Sequence, residues 1–172
     1  MEKKILEKFI HLLSDKVEGK WIIMGGCVLP LLEASSRYTQ DIDIAGPSSS
    51  TQKDTLTLME IAQTLGLPVE AINQAASFFL YKIPDWEKEL VLIHKSPKAS
   101  IFRPSATLYI LLKLNRFSET DFKDCIKMIE YAKAHKESID EKRIQKTIQK
   151  LLKKETSPPK INRLKEFIKR LL

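Results

Sequence analysis

Between Trp21 and Ala45 the hydrophobic pattern changes period twice, and a glycine pair marks the first change. Trp21-Ile22-Ile23-Met24 is a short β-rich run that ends at Gly25-Gly26. Cys27 to Ala34 reads as a helix, with Pro30 tolerated because N–H groups in a first turn lack intrahelical partners. Asp41 to Ala45 restores the alternation of a strand, and Gly46-Pro47 closes it. The order is therefore strand, glycine pair, helix, a short connection and a second strand.

The flanking segments fit the same plan. Ile5, Phe9, Leu12, Leu13 and Val17 recur at helical spacing until Gly19. A helix is predicted from about Thr51 to Leu65, with Leu58, Ile61, Ala62 and Leu65 on one face. In the middle, Val69 to Ala76 reads as a short helix, and Phe78 to Ile83, Glu89 to His94 and Ala99 to Phe102 read as strands. Helices follow from Pro104-Ser105 through Leu114, from Thr120 to Ala134, from Glu141 to Lys154, and after Pro158-Pro159. The expected class is α+β: a small mixed sheet flanked by helices over residues 1–103, then a helical region over 104–172.

Composition sets outer limits. Of the 172 residues 43% are hydrophobic, enough for a core, and no apolar run approaches the roughly 20 residues that span a bilayer. Met1-Glu2-Lys3-Lys4 leads into an amphipathic pattern rather than an apolar signal core. Cys27 and Cys125 are far apart and lack metal-ligand spacing, which fits buried thiols of a reduced, cytoplasmic compartment. The net charge of +7 is concentrated from Lys133 to Leu172, where 13 basic residues face 5 acidic ones. That excess fits either a surface that follows a polyanion such as RNA or an ordinary solvated helix face.

The chemistry lies in the opening stretch. On a strand, Asp41 and Asp43 share one side, with Cα atoms roughly 6 to 7 Å apart, while Ile42 and Ile44 point to the other. Paired carboxylates repel unless cations neutralise them, and hard divalent ions such as Mg²⁺ prefer oxygen ligands. The spacing suits a pair of ions clamping a phosphoryl transfer. Gly25-Gly26 adds a turn with bare backbone N–H groups at the start of a helix, open to a triphosphate.

Together, "GGCVLPLLEASSRYTQDIDIAG" resembles the signature of the DNA polymerase β-like nucleotidyltransferase superfamily, a glycine turn followed by an acidic D-h-[DE] strand. More narrowly, Gly25, Gly26, Leu29, Arg37, Thr39, Asp41 and Asp43 resemble bacterial nucleotidyltransferase proteins of abortive-infection (type IV toxin–antitoxin) systems. Gly26 stands where many relatives carry serine. "LYILLKLNRFSETDFKDCIKMIEYA" is similar to the family's helix pair, with Lys113 and Arg116 at basic positions and Asp121, Lys123 and Asp124 near acidic ones. The resemblance implies a third carboxylate on a later strand, for which Glu89 is the candidate and Asp85 and Glu87 the alternates. Lys113 needs an outlet on an apolar helix, either a cleft or a salt bridge.

The expected function is therefore metal-dependent transfer of a nucleoside monophosphate from a nucleoside triphosphate to an acceptor hydroxyl, with release of pyrophosphate. Asp41, Asp43 and Glu89 would hold Mg²⁺ or Mn²⁺, and Gly25, Gly26, Arg37, Thr39 and Lys113 would bind the nucleotide. The basic C-terminal helices favour RNA or tRNA as an acceptor, the resemblance implies a cognate antitoxin as a partner, and no membrane is expected. The alternative is the same fold without turnover, serving as a nucleotide- or RNA-binding module. His11, His94, His135, Trp21 and Trp86 read as structural.

Overall fold

A computed structural model describes residues 2–35, 39–47 and 52–171. It consists of two compact units, residues 1–104 and 105–172.

Among the described residues the first unit is built on five strands: β1 (Gly19–Met24), β2 (Ile42–Ala45), β3 (Ile72–Asn73), β4 (Leu90–Lys95) and β5 (Ala99–Pro104). They lie in the order β3-β2-β1-β5-β4. The β1/β2 and β4/β5 pairs are antiparallel, and β1/β5 and β2/β3 are parallel. The register sets Met24 opposite Asp43 and Asp43 opposite Asn73. This mixed sheet with flanking helices is the α+β architecture that the sequence predicts.

Alternation gives the sheet two unlike sides. Trp21, Ile23, Ile42, Ile44 and Ile101 form one side and are fully buried. They share a core with Leu6, Phe9 and Leu13 of α1 (Lys3–Lys16) and Leu58 and Ile61 of α3 (Gln52–Thr64). Burying Ile42 and Ile44 contributes about 1.5 to 3 kcal/mol each, so slipping β2 by one residue would expose both and bury Asp43 in their place. The other side carries Ile22, Met24 and Asp43. Gly46, just after β2, lies against Trp21, where an added Cβ would fall 2.7 Å from the indole ring.

Three local expectations need correction. The segment after the glycine pair is a 3₁₀ turn (Gly25–Cys27) and a single turn α2 (Val28–Leu31), short of the helix predicted to Ala34. Glu33, in a left-handed conformation, ends it. Val69 to Ala76 divides into a 3₁₀ turn (Val69–Ala71) and strand β3 instead of one helix. Phe78 to Ile83 is not a strand; Ser77–Leu80 forms one turn, α4. Its amides are satisfied locally, Phe78 N–H donating to Ala75 O and Tyr81 N–H to Ser77 O. Only Leu80 is buried, while Phe78, Phe79 and Tyr81 are exposed. A short aromatic run does not by itself separate the two backbones.

The second unit is α5 (Ala106–Leu114), α6 (Glu119–His135), α7 (Glu141–Leu152) and α8 (Pro158–Leu171). Ser105, Ser118 and Asp140 cap the first three, each accepting from a backbone N–H three residues on. Ser118 and Asp121 exchange these bonds in a capping box. Phe117, Phe122 and Phe167 meet edge to face at centroid distances of 5.3 to 6.1 Å. Ile144, Ile148 and Leu164 are also fully buried in this unit.

Candidate active site

Asp43 is the middle of the site because the strand on either side of it has a fixed register. Flanking Ile42 and Ile44 anchor β2 in the core, which turns the Asp43 carboxylate to the opposite side of the sheet. There it lies over the α-carbon of Gly25 at the end of β1. A Cβ at Gly25 would fall 2.7 Å from Asp43 Cγ and closer still to Oδ2. Gly25 also holds φ at +70°, a conformation that disfavours side chains. Glycine is therefore required there twice over, by the backbone and by the approaching carboxylate.

Asn73 meets Asp43 from the other flank. Its Nδ2 donates to Asp43 Oδ1 at 3.2 Å. The amide cannot be turned round without loss, because its Oδ1 accepts from the Ala75 N–H at 2.9 Å and that N–H can only donate. Sequence reasoning missed Asn73, which fell inside a predicted helix. The usable signal was slight, the β-branched Val69 and Ile72, which favour extended backbone.

Asp41 precedes β2 and is exposed, two residues from Asp43. Thr39 donates from Oγ1 to the Asp41 carbonyl at 3.2 Å. The same hydroxyl lies 3.6 Å from where a Gly26 Cβ would be, an ordinary contact that leaves room for a small side chain. Gly25, Gly26, Thr39, Asp41 and Asp43 are thus gathered at one end of the β1/β2 pair. Arg37 lies outside the described residues. The turn following Gly25 is too short to carry much of a helix dipole, so whatever it offers an anion rests on bare backbone N–H groups.

Glu89 is not brought to this group. It ends a 3₁₀ turn (Trp86–Glu89) ahead of β4, not the strand itself. Leu90 opposite Pro104 puts it at the same end of the sheet as Asp43. However, β4 is three strand spacings from β2, about 14 Å across the sheet. Of the alternates, Asp85 pairs with Lys88 at 2.7 Å, and Glu87 lies exposed in the same turn. Among the described residues, no three acidic, histidine or cysteine side chains converge as metal ligands. The donors that do suit a hard cation are the Asp41 and Asp43 carboxylates. The Asn73 carbonyl is turned away to Ala75.

Lys113, in the helical unit, has its outlet in carboxylates. Its Nζ lies 2.9 Å from Asp124 Oδ2 and 3.1 Å from Asp121 Oδ1, and 5.3 Å from the centre of the Tyr109 ring. Arg116 donates to Asp121 through Nε and Nη2, at 2.8 and 2.9 Å. Burial opposes ionisation of Asp121. The Arg116 hydrogen bonds, the Lys113 charge and the Ser118 donors outweigh it and hold the carboxyl well below the usual range. Burial pushes the neighbouring Cys125 thiol far up, leaving it unreactive.

Two of the residues set aside as structural, His94 and Trp21, have local partners. His94 shares the core side of the sheet with Ile101, its register partner, and its Nε2 lies 3.1 Å from Ser14 Oγ. Ser14 sends its own proton to the His11 carbonyl, so it has none for His94 to abstract. Trp21 Nε1 donates to the Glu18 carbonyl.

No curated protein and no solved structure matches the chain significantly. Among the described residues no helix is long and apolar enough to cross a membrane. A family model described as "Nucleotidyltransferase of unknown function (DUF6036)" matches residues 3–170, and by that match, which takes in the glycine turn and the acidic strand alike, the protein belongs to this nucleotidyltransferase family.

Proposed function

We propose that the protein transfers a nucleoside monophosphate from a nucleoside triphosphate to an acceptor hydroxyl of RNA. The acceptor oxygen forms a bond to the α-phosphorus as the bond to the β-phosphate oxygen breaks. Pyrophosphate leaves and the hydroxyl proton passes to solvent. Asp41 and Asp43 would hold Mg²⁺ or Mn²⁺, which when bound supplies Lewis-acid neutralisation of the phosphates and lowers the pKa of the acceptor hydroxyl. The backbone at Gly26, where a Cβ would meet nothing nearer than the Thr39 hydroxyl at 3.6 Å, would leave space for the triphosphate, with the Thr39 hydroxyl bonded to the Asp41 carbonyl. Lys113 is already matched by two carboxylates, so charge compensation for the triphosphate falls to Arg37. The observation that carries this reading is the Asp43 carboxylate held across the bare α-carbon of Gly25.

RNA is favoured as acceptor by α7. Lys142, Lys146 and Lys150 recur every four residues on its exposed face, about 6 Å apart along the axis, with Lys153 and Lys154 beyond its end. None of them has an acidic partner among the described residues. A toxin-like role, with a cognate antitoxin as partner, belongs to the same reading through the resemblance of the Gly25-to-Asp43 stretch. The test is incubation with labelled nucleoside triphosphates, Mg²⁺ or Mn²⁺ and total tRNA. Label on RNA that disappears in Asp43→Asn supports the reading; no transfer with any triphosphate or metal overturns it. A second reading, the same fold binding nucleotide without turnover, is favoured by the amide at position 73 beside Asp43.

A further inference from the structure

We propose that Asn73 is a positioning residue that restricts the site to a single divalent cation, a claim that rests on the assignment of Asp41 and Asp43 as metal ligands. Register and hydrogen bonding carry it. β3 runs parallel to β2 with Asn73 directly opposite Asp43, on the side of the sheet where the carboxylate stands. A residue at that point, if acidic, would add a third carboxylate beside Asp43 of β2 and Asp41 just ahead of it. The chain instead places an amide there and fixes its orientation. Ala75 N–H takes the carbonyl oxygen, so the NH₂ group faces Asp43 Oδ1.

Two consequences follow from that orientation. The amide hydrogens occupy one of the lone pairs of Asp43 and hold its carboxylate over Gly25, a restraint that two neighbouring carboxylates could not provide without a cation between them. The same hydrogens present positive partial charge where a second cation would have to approach Asp43. Two ions about 3.5 to 4 Å apart need more anionic ligands than Asp41 and Asp43 supply. Glu89 leads into β4, three strand spacings or about 14 Å from β2, and does not stand beside the pair as Asn73 does. Asn73 thus does for Asp43 part of what a second metal would do, at no cost in charge.

The experiment is a Mn²⁺ titration of the full chain without nucleotide, read from the electron paramagnetic resonance signal of the free ion, with Asp41→Asn giving the adventitious background. The wild type is expected to take up about one ion per chain above that background, and Asn73→Asp about two. The aspartate keeps an acceptor for Ala75 N–H, so β3 retains its turn, and a thermal melt checks that it does. Two ions on the wild type, which needs no variant to observe, overturn the inference. So does an Asn73→Asp chain that folds and stays at one. Uptake no greater than background in both proteins overturns the inference together with the metal reading of the site. The expected stoichiometries without any nucleotidyl transfer would overturn the proposed reaction alone and leave the role of Asn73 standing.

Discussion

The carboxylate of Asp43 on β2 and the α-carbon of Gly25, just past the end of β1, lie at such close range that no side chain fits between them. Gly25→Ala meets two penalties at once. A Cβ at a φ of +70° costs about 1 kcal/mol, and the methyl must also displace Asp43 from its place beside Asn73. The expected result is a loss of about 2 to 4 kcal/mol in a denaturant melt, the clash adding to the backbone strain. Nucleotidyl transfer should fall by about 100-fold or more, because about 1 Å of displacement at a reacting group costs that much.

Gly26→Ser is the contrast. Its backbone is not left-handed, and the new Cβ would make only van der Waals contact with Thr39, 3.6 Å from the hydroxyl. Stability should change by less than about 0.5 kcal/mol, as for a surface change that touches no special feature. The added hydroxyl should leave transfer unchanged or raise it. A melt and a rate for each glycine variant, measured side by side, separate a requirement for glycine from a preference for a small residue.

How much of this site could be read in advance depended on how local each part was. The gathering of Gly25, Gly26, Asp41 and Asp43 was legible because it follows from a turn and from strand alternation within 20 residues. Asn73 was not. Its role depends on β3, two residues long, pairing with a strand 30 positions earlier, and a two-residue strand has no period to detect. Glu89 is the converse case. An acidic residue ahead of an apolar strand looked well placed, but strand order is a tertiary property, and β4 sits at the far edge from β3. The helices of the second unit were legible to within a few residues, since Ser105, Asp140 and the proline pair at 158 and 159 punctuate long periodic segments. The aromatic run at Phe78 misled for want of length, one turn carrying the same composition as a strand.

Lys113 between Asp121 and Asp124 gives the helical unit a pH dependence whose sign can be stated. The Asp121 carboxyl lies below its unfolded value in the folded chain. Its contribution is therefore fully present above the unfolded pKa, near pH 4, and is lost as pH falls through the lower folded value. Asp121→Asn should destabilise the unit by about 3 kcal/mol at neutral pH, since it breaks a buried ion pair and leaves Arg116 and Lys113 undercompensated. The loss should shrink steadily below about pH 4 as the wild type itself gives up the charge. Melts from pH 7 to pH 2 on both proteins check it; parallel curves over that range would contradict the assignment.

The lysines of α7 make the last prediction, because they distinguish a polyanion surface from a solvated helix face. Lys142, Lys146 and Lys150 are exposed and make no ion pair within the described residues, whereas Lys3, Lys88, Lys123 and Lys127 each have a carboxylate at hand. Replacing all three by glutamine removes charge from the exposed face while leaving Ile144 and Ile148 in the core, and glutamine is as good a helix former as lysine. Stability should therefore move by less than about 0.5 kcal/mol. Binding to single-stranded RNA should weaken by about tenfold or more at low salt, and the slope of log K against log salt should become shallower by about 2, the value for three phosphate contacts removed. Transfer to a small hydroxyl acceptor should persist at the wild-type rate, since α7 carries none of the residues gathered around Asp43. An unchanged salt slope would make the stripe an ordinary solvated face, and the acceptor would then have to be sought among protein side chains or small molecules.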